Sequence, residues 1–386
     1  MKLTGISWDH PRGYNPLLPM TEEFCRTRPD VSINWDKRSL KDFGDYPIGK
    51  LVDKYDFIII DHPFMPDCLN ENLLVVLDDL VERTYLETLK ADSVGPSFDS
   101  YYYKGKLQAL PIDAACHTAA SNPELMQKVG ATPPVLVEDI FTLHQKLGGK
   151  YHIAFPFWPT DIACIFFNLV AQHVGQNYID EKTGVNVHAG IQAAQILGRM
   201  AEIAQPNCYD MNPIDIYNEM AGGSLIAYCP YAFSYSNYSR EGFRNHVVLF
   251  HDSPLLRHDS QASTMLGGVG IAISSRIASE KLPTALEYIR FISSPEIQKG
   301  LYAHADGQPA TRSAWLDEEN NRLTHNFFKN TLRTIELAYV RPKVPNWAEY
   351  HTMAGVQLQK DIQSRIDPTV IVAHINRLFV EMCSGN

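Results

Sequence analysis

The chain has 386 residues, of which 45% are hydrophobic and 20% are charged, a composition typical of a folded protein long enough for two domains. Its 34 lysine and arginine residues against 44 aspartate and glutamate residues give a formal net charge of −10. Nucleic acids and anionic membrane surfaces require a basic face, so neither is expected as the main partner. No stretch of the sequence approaches the roughly 20 apolar residues of a membrane span.

The amino terminus and the cysteines bear on the compartment in which the protein works. The first nine residues turn polar at once and lack the apolar core of a secretion signal, so either a signal has been removed or the protein stays inside the cell. Seven cysteines without CxxC spacing predict neither a zinc site nor a disulfide framework, and the odd number leaves at least one thiol free. So many cysteines fit a reducing cytosol slightly better than an oxidising periplasm.

Strands and helices alternate over the first sixty residues. Residues 2–7 alternate in polarity like a strand, residues 31–35 form a second strand, and residues 57–60 are continuously apolar, as central parallel strands are. A helix that carries Leu17 and Phe24 follows the first strand. This alternation predicts an α/β sheet, in which ligands gather at the carboxyl ends of the strands.

Polar and aromatic residues cluster at the carboxyl ends of these three strands. They are Trp8, Asp9, His10 and Arg12 after the first strand, Trp35 and Asp36 at the end of the second, and Asp61, His62 and Phe64 after the third. Aromatic faces stack on the apolar face of a sugar ring, while carboxylates and guanidinium groups hydrogen-bond its hydroxyl groups. The strand ends are therefore the predicted binding site for a small polar ligand.

The alternation continues through the rest of the chain. Residues 101–106 are predicted to form a hairpin turn, residues 107–112, 224–228 and 271–274 strands, and residues 135–147, 191–203, 213–220 and about 281–292 helices. We find no internal repeat and no low-complexity linker. Two lobes without a linker predict a chain that crosses between them several times.

Seven segments, which follow one another along the chain, carry a resemblance to a known family. They are residues 103–113, 221–227, 267–273, 283–292, 294–298, 307–312 and 341–347. Together they resemble the solute-binding proteins of carbohydrate ABC transporters, the family that includes maltose- and glycerol-phosphate-binding proteins. The resemblance implies an α/β, two-lobed periplasmic-binding-protein fold of type II, with the ligand cleft between the lobes and several hinge crossings. It assigns residues 1–112 and 267–313 to an N-lobe, and residues 113–266 and 314–386 to a C-lobe.

The function implied by this resemblance is binding without catalysis. The protein would capture a carbohydrate or a small organic acid by hinge closure and deliver it to an ABC permease, with no cofactor and no metal. Beyond the nine strand-end residues, the predicted ligand-binding set contains Asp113, Trp158, Thr160, Tyr228, Tyr231, Gly268, Arg312 and Arg341. The expected location is periplasmic or extracytoplasmic if a signal was removed, and cytoplasmic otherwise.

Several of these residues have a second interpretation. An arginine at the start of a helix can bind a carboxylate or phosphate through two hydrogen bonds, so Arg12 and His10 are compatible with an anionic ligand. Alternatively, Arg12 pairs with an aspartate or glutamate of the protein and does not bind an anion. Trp8 is equally suited to wedging the first helix against the sheet. Asp9 is as well placed to cap that helix, and His62 to pack as a hydrogen-bonded core residue.

Two other functions also stay open. A cytosolic sensor or interaction protein is suggested by the missing signal and the cysteines. A cysteine enzyme on the same fold is suggested by Cys116 and His117 alone. Adjacent residues of a strand point to opposite faces, which weakens that pairing.

Overall fold

The computed structural model describes residues 1–39 and 48–384. The chain divides into two compact units. Unit 1 consists of Met1–Ala115, Tyr235–Asn237 and Gly267–Arg322, and unit 2 consists of Cys116–Ser234, Tyr238–Leu266 and Leu323–Asn386. Because each unit is made of three separate segments, the chain passes repeatedly from one to the other.

The strands in the described part of the chain have two to eight residues, except for β6, which has twelve. They are β1 (Lys2–Trp8), β2 (Ser32–Arg38), β3 (Phe57–Ile60), β4 (Tyr102–Tyr103), β5 (Lys106–Leu107), β6 (Leu110–Ser121), β7 (His152–Ile153), β8 (Ile179–Asp180), β9 (Gly184–Val185), β10 (Ile226–Phe233), β11 (Leu249–His251) and β12 (Leu266–Ile273).

Helices separate most of these strands. They are α1 (Pro11–Tyr14), α2 (Leu17–Thr27), α3 (Ile48–Val52), α4 (Met65–Asn70), α5 (Arg83–Ala91), α6 (Ser97–Ser100), α7 (Pro123–Lys128), α8 (Val137–Leu147), α9 (Pro159–Val174), α10 (Val187–Ile203), α11 (Pro213–Gly222), α12 (Leu282–Ser293), α13 (Pro295–Ile297), α14 (Arg312–Leu316), α15 (Glu318–Leu323), α16 (Phe327–Glu336), α17 (Trp347–Gln363) and α18 (Pro368–Met382). None of the helices in the described part of the chain has the length and apolar character needed to cross a membrane.

The sheet of unit 1 has the strand order β2-β1-β3-β12. Strand β1 runs parallel to β2 and to β3, and β12 runs antiparallel to β3. All four residues of β3 are buried, which confirms residues 57–60 as a continuously apolar central strand. Strand β2 begins one residue later than predicted and continues three residues further, to Arg38.

Aromatic side chains fill the core of unit 1 between the sheet and helices α2 and α12. Trp35 of β2 stacks on Phe57 of β3, with ring centroids 6.0 Å apart. Phe24 of α2 meets Tyr288 of α12 edge to face at 5.1 Å. The Trp35 ring passes so close to Gly5 that a Cβ there would lie 2.4 Å from a ring carbon. The glycine in β1 is therefore a packing requirement.

Unit 2 combines a small sheet with a layer of long helices. Strand β6 pairs antiparallel with β10 and β11, and β7 pairs parallel with β10. Helix α9 is buried on all sides from Asp161 to Gln172, as expected of a helix that is apolar around its whole circumference. Helix α17 crosses it at Gly355, where a Cβ would lie 1.8 Å from the carbonyl oxygen of Pro159.

The structure confirms the predicted hairpin but gives the strand after it different bounds. Strands β4 and β5 confirm the hairpin, and its turn residues Lys104 and Gly105 have φ of 48° and 74°, the left-handed values that two-residue hairpins require. The predicted strand 107–112 instead becomes the long β6, which runs on to Ser121. Cys116 and His117 are consequently mid-strand residues.

Candidate functional site

The carboxyl end of β1 is shaped by the packing of Trp8 on helix α1. Trp8 is buried, and a Cβ at Gly13 would lie 2.2 Å from its indole ring. The Ser7 hydroxyl donates to the carbonyl of Gly13 at 2.7 Å and fixes the same turn. Trp8 therefore packs between the sheet and helix α1, as its second interpretation predicts. Ligand contact by Trp8 stays a prediction.

His10, and not Asp9, caps helix α1. The backbone N–H of Arg12 donates to His10 Nδ1 at 3.1 Å, and Pro11 occupies the first helical position, where its missing N–H has no cost. Asp9 is exposed and its Oδ1 lies 2.9 Å from Lys37 Nζ. The capping alternative for Asp9 is thus wrong, because the next residue performs that role.

Arg12 and Asp113 form the central feature of unit 1, a buried ion pair between α1 and β6. The Arg12 Nε donates to Asp113 Oδ2 at 2.8 Å and its second guanidinium nitrogen donates to Oδ1, so the pair is bidentate. Arg12 is 4% exposed and Asp113 is 1% exposed. This geometry favours the carboxylate-paired alternative for Arg12 over the anion-binding one.

Charge and burial act against each other in this pair. Burial lowers the pKa of Arg12, but the adjacent Asp113 carboxylate outweighs that effect and the pKa of Arg12 is raised. Burial raises the pKa of Asp113, the Arg12 guanidinium opposes the rise, and the charge of Asp61 adds to it. Arginine keeps its proton throughout the physiological range, so Asp113 is its compensating charge.

An aromatic side chain that the sequence analysis did not select covers this pair. The Arg12 guanidinium carbon lies 4.8 Å from the ring centroid of Tyr235, a cation–π contact. The His10 ring meets the same tyrosine edge to face at 4.7 Å. Tyr235 belongs to the three-residue segment that unit 1 takes from the middle of the chain, and its serine- and asparagine-rich surroundings resemble a solvated loop in sequence.

Backbone packing holds Asp113 in place. Gly268 has a φ of 106°, and a Cβ there would lie 2.3 Å from the carbonyl oxygen of Asp113. Both the conformation and the space demand glycine. Buried Gln308, which the sequence analysis missed, donates from Nε2 to the carbonyl of Ala114 at 2.8 Å and accepts from the backbone N–H of Ser236 at 3.0 Å.

Asp61 and His62 follow β3 as predicted. The Asp61 Oδ1 accepts from the backbone N–H of His62 at 2.8 Å and caps the short turn His62–Phe64. His62 is 1% exposed, with its ring edge to face on Tyr101 at 6.3 Å, so it occupies the core position of its second interpretation. The Asp61 side chain is 18% exposed, and its negative charge contributes to raising the pKa of Asp113.

The remaining predicted residues of unit 1 have other surroundings. Trp35 lies in the core, where its Nε1 donates to Thr21. Asp36 is exposed and accepts from the Tyr55 hydroxyl at 2.8 Å. Phe64 is half-buried against the core, and the side chain of Arg312 is exposed at the start of α14. Ligand contact by these residues stays a prediction.

In unit 2, Trp158 and Thr160 stand at the first turn of α9. Trp158 is 47% exposed, and its backbone N–H donates to the carbonyl of Met211 at 3.2 Å. Thr160 is half-buried. Asp161 follows them and is 7% exposed, and burial, with a further contribution from Asp215, raises its pKa well above the ordinary value. An exposed tryptophan beside polar groups is the arrangement expected of a stacking surface.

The other predicted residues of unit 2 are buried. Tyr231 donates its hydroxyl to the carbonyl of Pro254 at 2.5 Å, and Tyr228 is completely inaccessible. Burial raises the pKa of both phenols. Arg341 is 8% exposed, and its charge contributes to lowering the pKa of His117. Contact of these three residues with ligand stays a prediction.

Cys116 and His117 have no accessible surface. The His117 Nδ1 lies 3.2 Å from the Asn168 amide nitrogen, and its ring is edge to face on Phe233 at 4.4 Å. Burial, then the charges of His351 and Arg341, lowers the pKa of His117 to about 3. Within residues 1–39 and 48–384 no group of three histidine, cysteine or acidic side chains is arranged to hold a metal ion.

Comparison with known sequences gives one family match. A family model described as bacterial extracellular solute-binding protein matches residues 52–327, which is most of the chain. No curated protein matches the sequence significantly.

Solved structures similar to this chain cover almost its whole length. A ribitol complex of an ABC transporter solute-binding protein from Agrobacterium radiobacter has a TM-score of 0.82 at 18% identity, covering 99% of this chain and 98% of its own. A maltose-bound protein of T. maritima has a TM-score of 0.80 at 15% identity, with 98% of each chain covered. A glycerophosphocholine complex from Mycobacterium tuberculosis has a TM-score of 0.76 at 16% identity, covering 98% and 97%. These similarities confirm the predicted α/β periplasmic-binding-protein fold.

Proposed function

The chain belongs to the bacterial extracellular solute-binding proteins, and on that premise we propose that it captures a small, uncharged, hydroxyl-rich ligand and delivers it to an ABC importer. The location that goes with this role is outside the cytoplasmic membrane, and the partner is the permease of the importer. Membership of an extracellular binding-protein family supports neither the cytosolic sensor nor the cysteine enzyme. Ligand-driven closure of two lobes remains the capture step that we propose.

The observation that carries the choice of an uncharged ligand is the buried pair of Arg12 and Asp113. Arg12 is the arginine best placed in sequence to bind an anion, and its Nε and second guanidinium nitrogen both donate to Asp113. Replacing that carboxylate with a ligand carboxylate would leave Asp113 buried and uncompensated. We therefore favour a ligand that makes hydrogen bonds without bringing a charge.

Asp61 is the residue that we propose as the main acceptor for ligand hydroxyl groups. It follows β3 at the carboxyl edge of the sheet, and its side chain keeps 18% exposure while one oxygen caps the turn after it. An ionised carboxylate accepts several hydrogen bonds at once. Vicinal hydroxyl groups of a polyol or sugar match this acceptor.

Trp158 is the residue of unit 2 that we propose as a stacking surface. A tryptophan that is 47% exposed leaves much of an apolar ring in water, and a sugar or polyol carbon face would cover it. Similar proteins have been solved with ribitol, D-mannitol and tagatose, all small and rich in hydroxyl groups. These three compounds are the first candidates for this chain.

The position of the Arg12 pair along the chain also supports capture by a hinge motion. Asp113 lies two residues before the end of the first segment of unit 1, at Ala115. Tyr235 opens the second segment, and Gly268 is the second residue of the third. Residues beside the points where a chain leaves a unit are those whose backbone dihedrals change in a hinge. A ligand bound beside them would bias that motion.

The test is a ligand screen by thermal shift, followed by calorimetry. We expect a neutral polyol or sugar from the set of ribitol, mannitol, tagatose and maltose to raise the melting temperature, since a ligand at 100 times its Kd stabilises the native state by about 2.7 kcal/mol. The matched sugar acid, ribonate for ribitol, should bind more weakly. Tighter binding of the acid would overturn the choice of an uncharged ligand.

Two pairs of variants locate the site. Asp61→Asn should weaken binding of the identified ligand at least tenfold, equivalent to about 1.4 kcal/mol, whereas Asp53→Asn, at an exposed position of unit 1 outside the predicted site, should not. Trp158→Ala should likewise weaken binding, with Trp158→Phe retaining most of it. Unchanged affinity in both Asp61→Asn and Trp158→Ala would overturn the proposed contacts.

A further inference from the structure

Two sulfur atoms and one imidazole nitrogen lie close together in the interior of unit 2, and none belongs to the candidate ligand site. The Cys164 thiol of helix α9 lies 3.6 Å from the thioether sulfur of Met265 and 3.5 Å from Nε2 of His351 in helix α17. Met265 is the residue immediately before β12. The three side chains are buried, with exposures of 2%, 0% and 7%.

The surroundings of these donors are largely aromatic. The His351 ring lies parallel to the indole of Trp347, with centroids 6.1 Å apart, and 5.8 Å from Phe167. The backbone N–H of Met265 donates to Asn168 Oδ1 at 2.8 Å, which fixes that residue to the same helix that carries Cys164. Side chains held in this way by packing and outer hydrogen bonds suit a preformed metal site.

We propose that Cys164, Met265 and His351 form a binding site for Cu(I). Metal–sulfur bonds of about 2.3 Å and metal–nitrogen bonds of about 2.0 Å, the lengths found for zinc, separate ligands at ~115° by about 3.6 to 3.9 Å. The two distances in the structure are close to these values. Thiolate and thioether ligands select Cu(I) among the biological metals.

The chemistry of the donors argues against the commoner alternatives. A thioether is a poor ligand for zinc, and the metal-binding side chains at this position offer only two of the residue types found in zinc sites. Calcium and magnesium require oxygen ligands, and the three donors supply none. A site with two sulfur atoms and one imidazole nitrogen fits a soft monovalent ion.

Binding of Cu(I) balances charge without a second reactant. The Cys164 thiol loses its proton to solvent as the copper–sulfur bond forms, and the copper keeps its oxidation state. The thiolate and the monovalent cation then cancel, so the buried site gains no net charge. The donors come from α9, from α17 and from the residue before β12, so the metal would join three segments of unit 2.

The test is a competition experiment with Cu(I) itself. Cu(I), supplied anaerobically as its bathocuproine disulfonate complex, is titrated against the Cys25→Ser variant, because Cys25 is the one cysteine that is not buried. We expect this protein to remove one Cu(I) per chain from the complex and to melt at a higher temperature once loaded.

Three further substitutions in the same background separate a metal site from simple packing. Cys164→Ser should abolish capture, and Met265→Leu, which preserves side-chain volume, should weaken it by at least the ~10-fold that loss of an outer-shell partner costs. Cys229→Ser removes an equally buried thiol of unit 2 and should leave one Cu(I) per chain. The proposal is overturned if the Cys25→Ser protein captures no copper, or if Cys164→Ser still captures one equivalent. Far-UV circular dichroism of each variant checks that it is folded.

Discussion

Units 1 and 2 bury ionisable side chains in different chemical states. Unit 1 buries a charge together with its opposite, as the bidentate pair of Arg12 and Asp113. His117, His251 and Asp161 of unit 2 are instead favoured in their neutral forms, because burial lowers the pKa of the two histidines and raises that of the aspartate. The difference teaches that a buried charge held by its counter-charge is sensitive to loss of that partner, whereas a buried neutral group is sensitive to pH.

The largest expected effect breaks the pair of unit 1. Asp113→Ala leaves the Arg12 guanidinium buried without its counter-charge, which should lower the free energy of unfolding by about 3–5 kcal/mol. Chemical denaturation measures this loss. In the double variant Arg12→Met with Asp113→Ala both charges are gone, and most of the stability should return. A double variant as unstable as the single one would show that packing, and not charge, is what Asp113 supplies.

The next effect is the acid sensitivity of unit 2. His117 has an ordinary pKa of 6.5 and a native pKa of about 3, so below pH 6.5 the unfolded state binds a proton that the native state does not. Stability should therefore fall as the pH drops, by about 1.4 kcal/mol for each pH unit, or about 3 kcal/mol at pH 4.

His117→Gln tests this slope. The variant should lose about 3 kcal/mol less than the wild type between pH 7 and pH 4, whatever its stability at pH 7. Equal slopes in the wild type and in His117→Gln would mean that His117 does not resist protonation in the native state.

A smaller effect of opposite sign comes from Asp161. Its native pKa lies above the unfolded value, so the native state holds the extra proton and stability falls as the pH rises. Asp161→Asn should stabilise the protein at pH 7, where the buried carboxyl is costly, and should stabilise it less at pH 4. Denaturation midpoints at the two pH values decide it. A gain that is the same at both would contradict the assignment.

The smallest effect uses a surface pair as the contrast to Arg12 and Asp113. Asp9 and Lys37 are 2.9 Å apart with side-chain exposures of 62% and 44%. Water screens such a pair, so Asp9→Ala should change the free energy of unfolding by less than about 0.5 kcal/mol. A loss comparable to that of Asp113→Ala would remove burial as the explanation for the difference between the two pairs.

The fold was predictable because it depends on patterns along the chain. The structure confirms the strand predicted from the apolar run 57–60 and the hairpin predicted at Lys104 and Gly105. Similar solved structures confirm the fold predicted from the family segments. The candidate site was less predictable, because its contacts join residues far apart in sequence. Arg12 and Asp113 are 101 positions apart, and nothing in the sequence near Tyr235 marks it as their cover.

The same limit applies to burial. Tyr228 and Tyr231 look like stacking residues in sequence, whereas the structure buries both in unit 2. Aromatic side chains serve cores and binding surfaces equally well, and only neighbouring elements decide between the two. Trp158, directly before α9, keeps the exposure that a binding surface needs.

The division of each unit into three segments has a consequence for synthesis on the ribosome. Unit 1 cannot be complete until Arg322 has emerged, and unit 2 needs the segment that starts at Leu323. About a hundred further residues must therefore be synthesised after Arg12 before it can pair with Asp113, and still more before it can contact Tyr235. A chain emerging at about 5–20 residues per second leaves these groups unpaired for several seconds. Chaperone binding to the nascent chain should consequently be strongest before residue 322 appears.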